Sequence, residues 1–310
     1  MAITRRALLA GIAAGMAPAH AQQPAPQPPA GFRREGGPKP RSSPPLCLYT
    51  DQLPLEIGYE EMGGLLKTLG FDGADLVVQP GGHIAPEHAD LNFERAIEAM
   101  NGSGIDVFMV STPYTSPADP TVRLAMQWSG EMGVRCFRPG HWKYGAAEIE
   151  QSMAEAQRDI AVFANIARAV NISVGLHNAP DCIGASFFDT NMIIRGMDPH
   201  LVGYDFDTGY AAAQGGAAGF ATALKLALPR LKMVTARDCY FTKEGGAWKL
   251  VECPLGEGMV DWPQFFATLA RAKFTGPISV QPGYGPKDSL PAVRKDLAFL
   301  QKQRAAAYGQ

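Results

Sequence analysis

Eight times from residue 46 onward, a short apolar, β-rich run is followed by a longer stretch with helical periodicity. No other feature restricts the fold as strongly. The runs cover 46–50, 74–78, 105–112, 134–139, 172–178, 202–208, 231–237 and 277–281. Helical stretches cover 58–69, 91–103, 120–133, 146–170, 217–228, 262–273 and 289–306, while the connection over 180–198 is less regular and suits only a short helix. Strands that stay apolar on both faces belong to a parallel sheet covered by helices. Eight strand-helix units in about 260 residues match a single-domain (β/α)8 TIM barrel, here over residues 46–310. A doubly wound open sheet is the alternative. It is disfavoured because the first run, Leu46-Cys47-Leu48-Tyr49-Thr50, leads into Asp51-Gln52-Leu53-Pro54 with no Gly-rich phosphate loop.

The sequence ahead of the barrel reads differently. Residues 1–21 have the form of a signal peptide: Thr4-Arg5-Arg6-Ala7-Leu8-Leu9, an apolar run to Ala17, then small residues in Ala19-His20-Ala21. The paired arginines point to a twin-arginine signal and so to a periplasmic or secreted protein. The apolar run is too short to span a bilayer comfortably, so no stable membrane association is expected after export. Residues 22–45 are rich in Pro and Gln and read as a disordered spacer. The five cysteines, Cys47, Cys136, Cys182, Cys239 and Cys253, are scattered without a CxxC pair and read mostly as buried free thiols. A net charge of -2 and a pI near 6.3 offer no general attraction to phosphate backbones, so a nucleic-acid partner is disfavoured. Nothing in the sequence fixes the oligomeric state.

Active sites of such barrels form where the strands end. Here those ends are polar and aromatic: Gln79-Pro80-Gly81-Gly82-His83, Arg138-Pro139-Gly140-His141-Trp142-Lys143-Tyr144, His177-Asn178, Asp205-Phe206-Asp207-Thr208-Gly209-Tyr210, Arg237-Asp238 and Gln281. Four of the six histidines, His83, His88, His141 and His177, fall on this face. His177 follows an apolar strand directly, so its ring is expected in the mouth beside Asn178. Asp207 ends a buried strand, which is costly unless a cation, an arginine or backbone donors meet it. Asp205 shares that face but lies deeper, as an internal ion-pair partner would. Asp238 is read either as a catalytic group or as the ion-pair partner of Arg237. Catalytic candidates are therefore His177, Asp207, His141 and Asp238, and candidate binding groups are Arg138, Trp142, Lys143, Asn178, Tyr210, Arg237, Gln281 and His83. Residues 239–253 form an insertion after the seventh strand that reads as a β-hairpin around Glu244-Gly245-Gly246. It would place Trp248 either on a sugar ring or against the barrel rim.

Three stretches carry a likeness to a known family: Gly70-Phe71-Asp72-Gly73-Ala74-Asp75-Leu76 with Pro80-Gly81-Gly82-His83, Asp207-Thr208-Gly209-Tyr210-Ala211 with Gly215-Gly216, and Pro254-Leu255-Gly256-Glu257-Gly258-Met259-Val260-Asp261-Trp262. Together they resemble the sugar phosphate isomerase/epimerase family of xylose isomerase-like barrels, over residues 46–299. The resemblance implies a divalent metal at the ends of strands five to eight and acid/base groups that move protons beside a carbonyl. Carried over by position, its ligands fall on His177, on Asp207 and near Thr235 or Asp238. Gln281 stands where the family has a Glu, and Tyr210 where a His follows the strand-six Asp. The expected cofactor is thus none or a weakly held Mn or Zn ion. The implied function is isomerisation, epimerisation or a related elimination on a carbohydrate or keto-sugar. His177 or His141 would act as base, Asp207 would orient it or bind metal, and Arg138, Arg237 or Lys143 would stabilise an enolate oxygen. The competing class is a non-catalytic carbohydrate-binding barrel that kept the cleft.

Overall fold

The computed structural model describes residues 41–145, 148–286 and 289–309. The expected signal peptide and most of the expected spacer lie outside the described residues. Eight parallel strands close into a barrel: β1 (Leu46–Tyr49), β2 (Gly73–Val77), β3 (Asp106–Ser111), β4 (Cys136–Arg138), β5 (Ser173–His177), β6 (Val202–Asp207), β7 (Leu231–Ala236) and, after a hairpin of β8 (Asp238–Glu244) and β9 (Ala247–Cys253), β10 (Ile278–Val280). β1 closes the ring by pairing with β2 on one side and β10 on the other. Each apolar run of the sequence supplies one barrel strand. The hairpin insertion is present, and its turn residues Gly245 and Gly246 both have positive φ, 57° and 88°, the geometry a two-residue hairpin turn demands.

The helices are α1 (Tyr59–Leu69), α2 (Ala89–Gly102), α3 (Pro120–Glu131), α4 (Ile149–Val170), α5 (Phe187–Ile194), α6 (Thr208–Ala227), α7 (Trp262–Arg271) and α8 (Leu290–Tyr308). Side-chain caps start several of them: Asp119, Ser186, Asp207, Asp261 and Ser289 each accept a hydrogen bond from a first-turn backbone N–H. α6 departs from expectation. It begins directly after β6 at Thr208 instead of residue 217, because the Asp207 carboxylate caps the Tyr210 N–H at 2.8 Å. The Gly215-Gly216 pair lies at a kink within it, with Gly216 at φ 55°.

A second departure lies at the barrel's entry. The last residues of the expected spacer dock: Ser43, Pro44 and Pro45 are buried, Arg304 donates to the Pro44 carbonyl at 2.9 Å, and the Ile278 N–H donates to the Pro45 carbonyl at 2.9 Å. Pro45 has no N–H to offer, but its carbonyl extends the β1–β10 ladder by one rung.

Between barrel and helices lies an apolar shell that includes Phe93, Phe137, Phe163, Phe206, Trp262, Phe265 and Phe266, all essentially inaccessible. Inside the barrel the floor is a small cluster of Cys47, Phe108, Met109, Cys136 and Met233. All five cysteines are buried free thiols. Among the described residues no helix is long and apolar enough to cross a membrane.

Candidate active site

Above that floor the barrel interior turns polar, because alternate residues of each strand face inward. Asp75 accepts from the Ser111 hydroxyl at 2.6 Å and from the Ser279 hydroxyl at 2.7 Å. Asp205 accepts from Thr235 Oγ1 at 3.1 Å, and Arg138 Nη1 lies 3.6 Å from its Oδ2. Burial pushes the Asp205 carboxyl up to about 7; Arg138 opposes the shift, and the neighbouring Asp75 and Asp207 add to it. Asp75 is likewise raised by burial. The guanidinium of Arg138 also lies over the Tyr49 ring, 5.1 Å from its centroid. Although Arg138 is only 6% exposed, its guanidinium makes no hydrogen bond among the described residues. As the last residue of β4 it carries those free N–H donors at the strand-end face of the barrel.

At the mouth three side chains form a line. His177 Nε2 is 3.1 Å from Asp207 Oδ2, and His177 Nδ1 is 2.9 Å from His141 Nε2. Burial holds His177 well below the ordinary imidazole range, with Arg138 and Arg237 adding to the effect. Burial, then the adjoining His177, brings His141 down to about 3. Both rings are therefore neutral at physiological pH, and each has one N–H to give. An ionised Asp207 can only accept, so His177 Nε2 carries its proton, His177 Nδ1 accepts, and His141 Nε2 donates. The outer nitrogen, His141 Nδ1, is left with a lone pair and no hydrogen bond, and it is not sealed from solvent. The Asp207 carboxyl is itself raised to about 6 by burial, against the pull of Arg237.

Arg237 closes the other side of Asp207. Its Nε lies 3.3 Å from Asp207 Oδ2, its Nη1 donates to Tyr210 Oη at 2.9 Å and to Glu252 Oε1 at 3.2 Å, and its Nη2 donates to Gln281 Oε1 at 3.0 Å. Its backbone is pinned by Thr208, which donates to the Arg237 carbonyl at 2.6 Å and accepts from the Arg237 N–H at 3.0 Å. Glu252 reaches this place from the base of the hairpin. Any side chain at Gly283 would fall on the Glu252 carboxylate, so a glycine there gives it room.

His141, His177, Asp207, Arg138, Tyr210, Arg237 and Gln281 thus meet in one mouth, and Lys143 lies near enough to act on His141 by its charge. Other candidates stand apart. Asp238 does not join the cluster: its carboxylate accepts from the backbone N–H groups of Cys239, Gly256 and Val260 and from Trp262 Nε1, at 2.8 to 3.2 Å. That fastens the hairpin and the following loop to α7, and no lone pair is left for a metal or a proton. Asn178 clamps the two strand ends, accepting from the Asp207 N–H at 2.7 Å and donating to the Asp207 carbonyl at 3.1 Å. Trp142 turns towards α4, donating to Asp159 at 3.1 Å and packing edge-on against Phe163. His83 is bound to the Pro54 carbonyl at 2.9 Å. Trp248 is 68% exposed beside the hairpin turn, with Lys243 over its ring. Tyr49, Asp75 and Glu252 were not singled out from the sequence. The alternation of inward and outward positions in β2 could have found Asp75, but nothing local in the hairpin marks Glu252.

The residues that the resemblance assigns to a metal do not fit one. Both nitrogens of His177 are engaged, Asp207 Oδ1 caps α6 while Oδ2 meets His177 and Arg237, Gln281 bridges Arg237 and Ser279, and Asp238 is spent elsewhere. Among the described residues no group of three or more His, Cys, Asp or Glu side chains is placed to hold an ion.

No sequence among the curated proteins matches the chain. Solved structures do. A xylose isomerase-like TIM barrel protein from Mycobacterium smegmatis in complex with magnesium superposes with a TM-score of 0.69 at 14% identity, over 85% of this chain and 97% of that one. The 3-keto-D-glucoside 4-epimerase of E. coli gives 0.66 at 16% identity, over 84% and 100%. The D-allulose 3-epimerase of Methylomonas sp., solved with D-allulose, gives 0.62 at 14% identity, over 84% and 97%. Likeness at such identities speaks for the fold alone. The sequence itself goes further, since residues 64–303 match the family model described as the xylose isomerase-like TIM barrel. With that match over most of its length, the chain belongs to the xylose isomerase-like TIM barrel family.

Proposed function

We propose that this protein is a carbohydrate isomerase or epimerase that moves a proton beside a carbonyl, with His141 as the base. The observation that carries this reading is the unbroken hydrogen-bonded line from His141 through His177 to Asp207, with its free end at the barrel mouth. In the reaction, His141 Nδ1 takes a proton from the carbon next to a sugar carbonyl. The C–H electron pair enters a new C=C bond, and the carbonyl π pair moves to oxygen. Protons can then shift along the line, from His141 Nε2 to His177 Nδ1 and from His177 Nε2 to Asp207 Oδ2, so the positive charge does not stay on a buried ring. The free edge of Arg138 supplies N–H donors for the enolate oxygen. Return of the proton to the opposite face of the same carbon, as the enolate oxygen re-forms its C=O bond, gives an epimer; return to the former carbonyl carbon, with the proton of the adjacent hydroxyl passing to the enolate oxygen and the new C=O forming at the carbon first deprotonated, gives an isomer.

Sugar epimerases among the solved structures that share the fold support a carbohydrate as substrate. The twin-arginine-type pattern around Arg5 and Arg6 supports a periplasmic or secreted location, where free or oxidised sugars are more plausible substrates than sugar phosphates. The test is solvent deuterium incorporation into a panel of keto-sugars in D2O. The wild type is expected to exchange at least one substrate and His141→Ala to lose exchange while melting at a similar temperature. Binding of a sugar without exchange in the wild type would make the protein a carbohydrate-binding barrel instead.

A further inference from the structure

We propose that the guanidinium of Arg237 is the built-in cation of this site, standing where metal-bearing barrels of the fold hold a dication. The proposal concerns the site assigned above but does not need its chemistry. Four oxygen-bearing side chains converge on Arg237: Asp207, Tyr210, Glu252 and Gln281, at 2.9 to 3.3 Å. Asp207 and Gln281 are two of the positions that the resemblance assigns to metal ligands, and both turn an oxygen towards the guanidinium. Three departures from the expected ligand set then read as one compensated change. Arginine at the end of β7 brings the charge. Gln281 offers a neutral oxygen where an additional carboxylate would overcharge the cage, and Tyr210 offers a hydroxyl that accepts from the guanidinium where an imidazole would seek an ion.

The arrangement also excludes a metal physically. Arg237 is pinned by two backbone hydrogen bonds to Thr208 and stacks on the Tyr210 ring, 5.2 Å from its centroid, so it cannot easily swing aside. A dication held by the same oxygens would lie against the like charge of this buried guanidinium, which opposes its binding. Guanidinium is less strongly hydrated than a small dication and spreads its donors in a plane. It matches four oxygens from four different elements better than a compact octahedral ion does.

The test is Mn²⁺ titration followed by the loss of the free-ion electron paramagnetic resonance signal, together with elemental analysis, on wild type, Arg237→His and Arg237→Ala. Wild type is expected to leave one equivalent of Mn²⁺ free and to melt unchanged in EDTA. Arg237→His is expected to bind about one Mn²⁺ per chain and to gain melting temperature from it, because removing the guanidinium frees Asp207, Glu252 and Gln281 for an ion. Arg237→Ala is expected to bind more weakly but detectably. Wild type that holds near-stoichiometric metal, lost on His177→Ala, would overturn the proposal, and so would folded Arg237 variants that take no ion. Where the variants fail to fold, the wild-type titration alone decides between the same two outcomes. None of these readouts uses substrate, so failure of the sugar chemistry and failure of the built-in cation are separable.

Discussion

Asp205→Asn should stabilise this protein at pH 8 and do almost nothing at pH 4. The polar layer inside the barrel sets Asp75 and Asp205, both fully buried, against the single guanidinium of Arg138. Burial raises the Asp205 carboxyl from 3.8 to about 7 in the folded state. Between about pH 4 and 7 the folded protein therefore holds a proton that the unfolded chain has released, so stability falls as pH rises through that window. At 1.36 kcal/mol per unit, the ionised group costs at most about 4 kcal/mol above pH 7. Asparagine copies the protonated form at every pH, and its amide can still meet the Thr235 hydroxyl.

The opposing effect is loss of the Arg138 ion pair, since breaking a buried pair typically costs about 3–5 kcal/mol when it strands the partner. Arg138 is not stranded here. The pair is loose at 3.6 Å, and Asp75, Asp207 and the Tyr49 ring all remain to attract the guanidinium. The expected net gain at pH 8 is about 1–4 kcal/mol, vanishing below pH 4. Urea unfolding of wild type and variant at several pH values measures it. A variant less stable than wild type at pH 8, by an amount that does not change with pH, would show that the ion pair outweighs the burial cost.

Two further outcomes follow from the same geometry. Asp238→Ala should cost about 3 kcal/mol or more in urea unfolding, because three backbone N–H groups and the Trp262 indole lose a shared acceptor in a buried place; a loss below about 1 kcal/mol would mean water replaces the carboxylate there. Nitrogen-15 spectra of His141 and His177 should show one protonated and one bare nitrogen per ring down to pH 5, with the proton on Nε2 in both while Asp207 is ionised. Because both folded values are depressed, protonation in the unfolded chain alone should erode stability as pH falls below about 6.5, and a doubly protonated ring in the folded protein at pH 6 would contradict the tautomer assignment.

The barrel was legible because its strands are buried on both faces. Even β4 and β10, three residues each, sit within longer apolar runs that the sequence displays. The start of α6 was not, because the cap that begins it is also the candidate site residue Asp207, and the helix passes through a kink at Gly216 before the stretch with clear helical periodicity. Strand-end position likewise showed that His141, His177 and Asp207 face a common mouth, but not that two neutral imidazoles share one proton line. That depends on a 2.9 Å contact between a side chain in the loop after β4 and one at the end of β5, 36 residues further on.

Arg237 and Asp238 are neighbours in the chain, which suggests an ion pair, yet successive residues leaving a strand point to opposite faces. Counting from buried Met233 inside the barrel through Thr235 puts Arg237 inward, and Asp238 on the other side, among the hairpin and loop donors. The same count turns a guanidinium inward at position 237, between Thr235 and Asp238, the two residues near which the family likeness put a metal ligand. What the count could not supply is the other half of the cage. Glu252 arrives from a hairpin whose strands, among the described residues, pair with each other and not with the barrel, and a side chain at position 283 would collide with it. The direction of Arg237 is thus fixed by local backbone geometry, whereas its partners are fixed by long-range packing, and only the first of these is written in the order of residues along one strand.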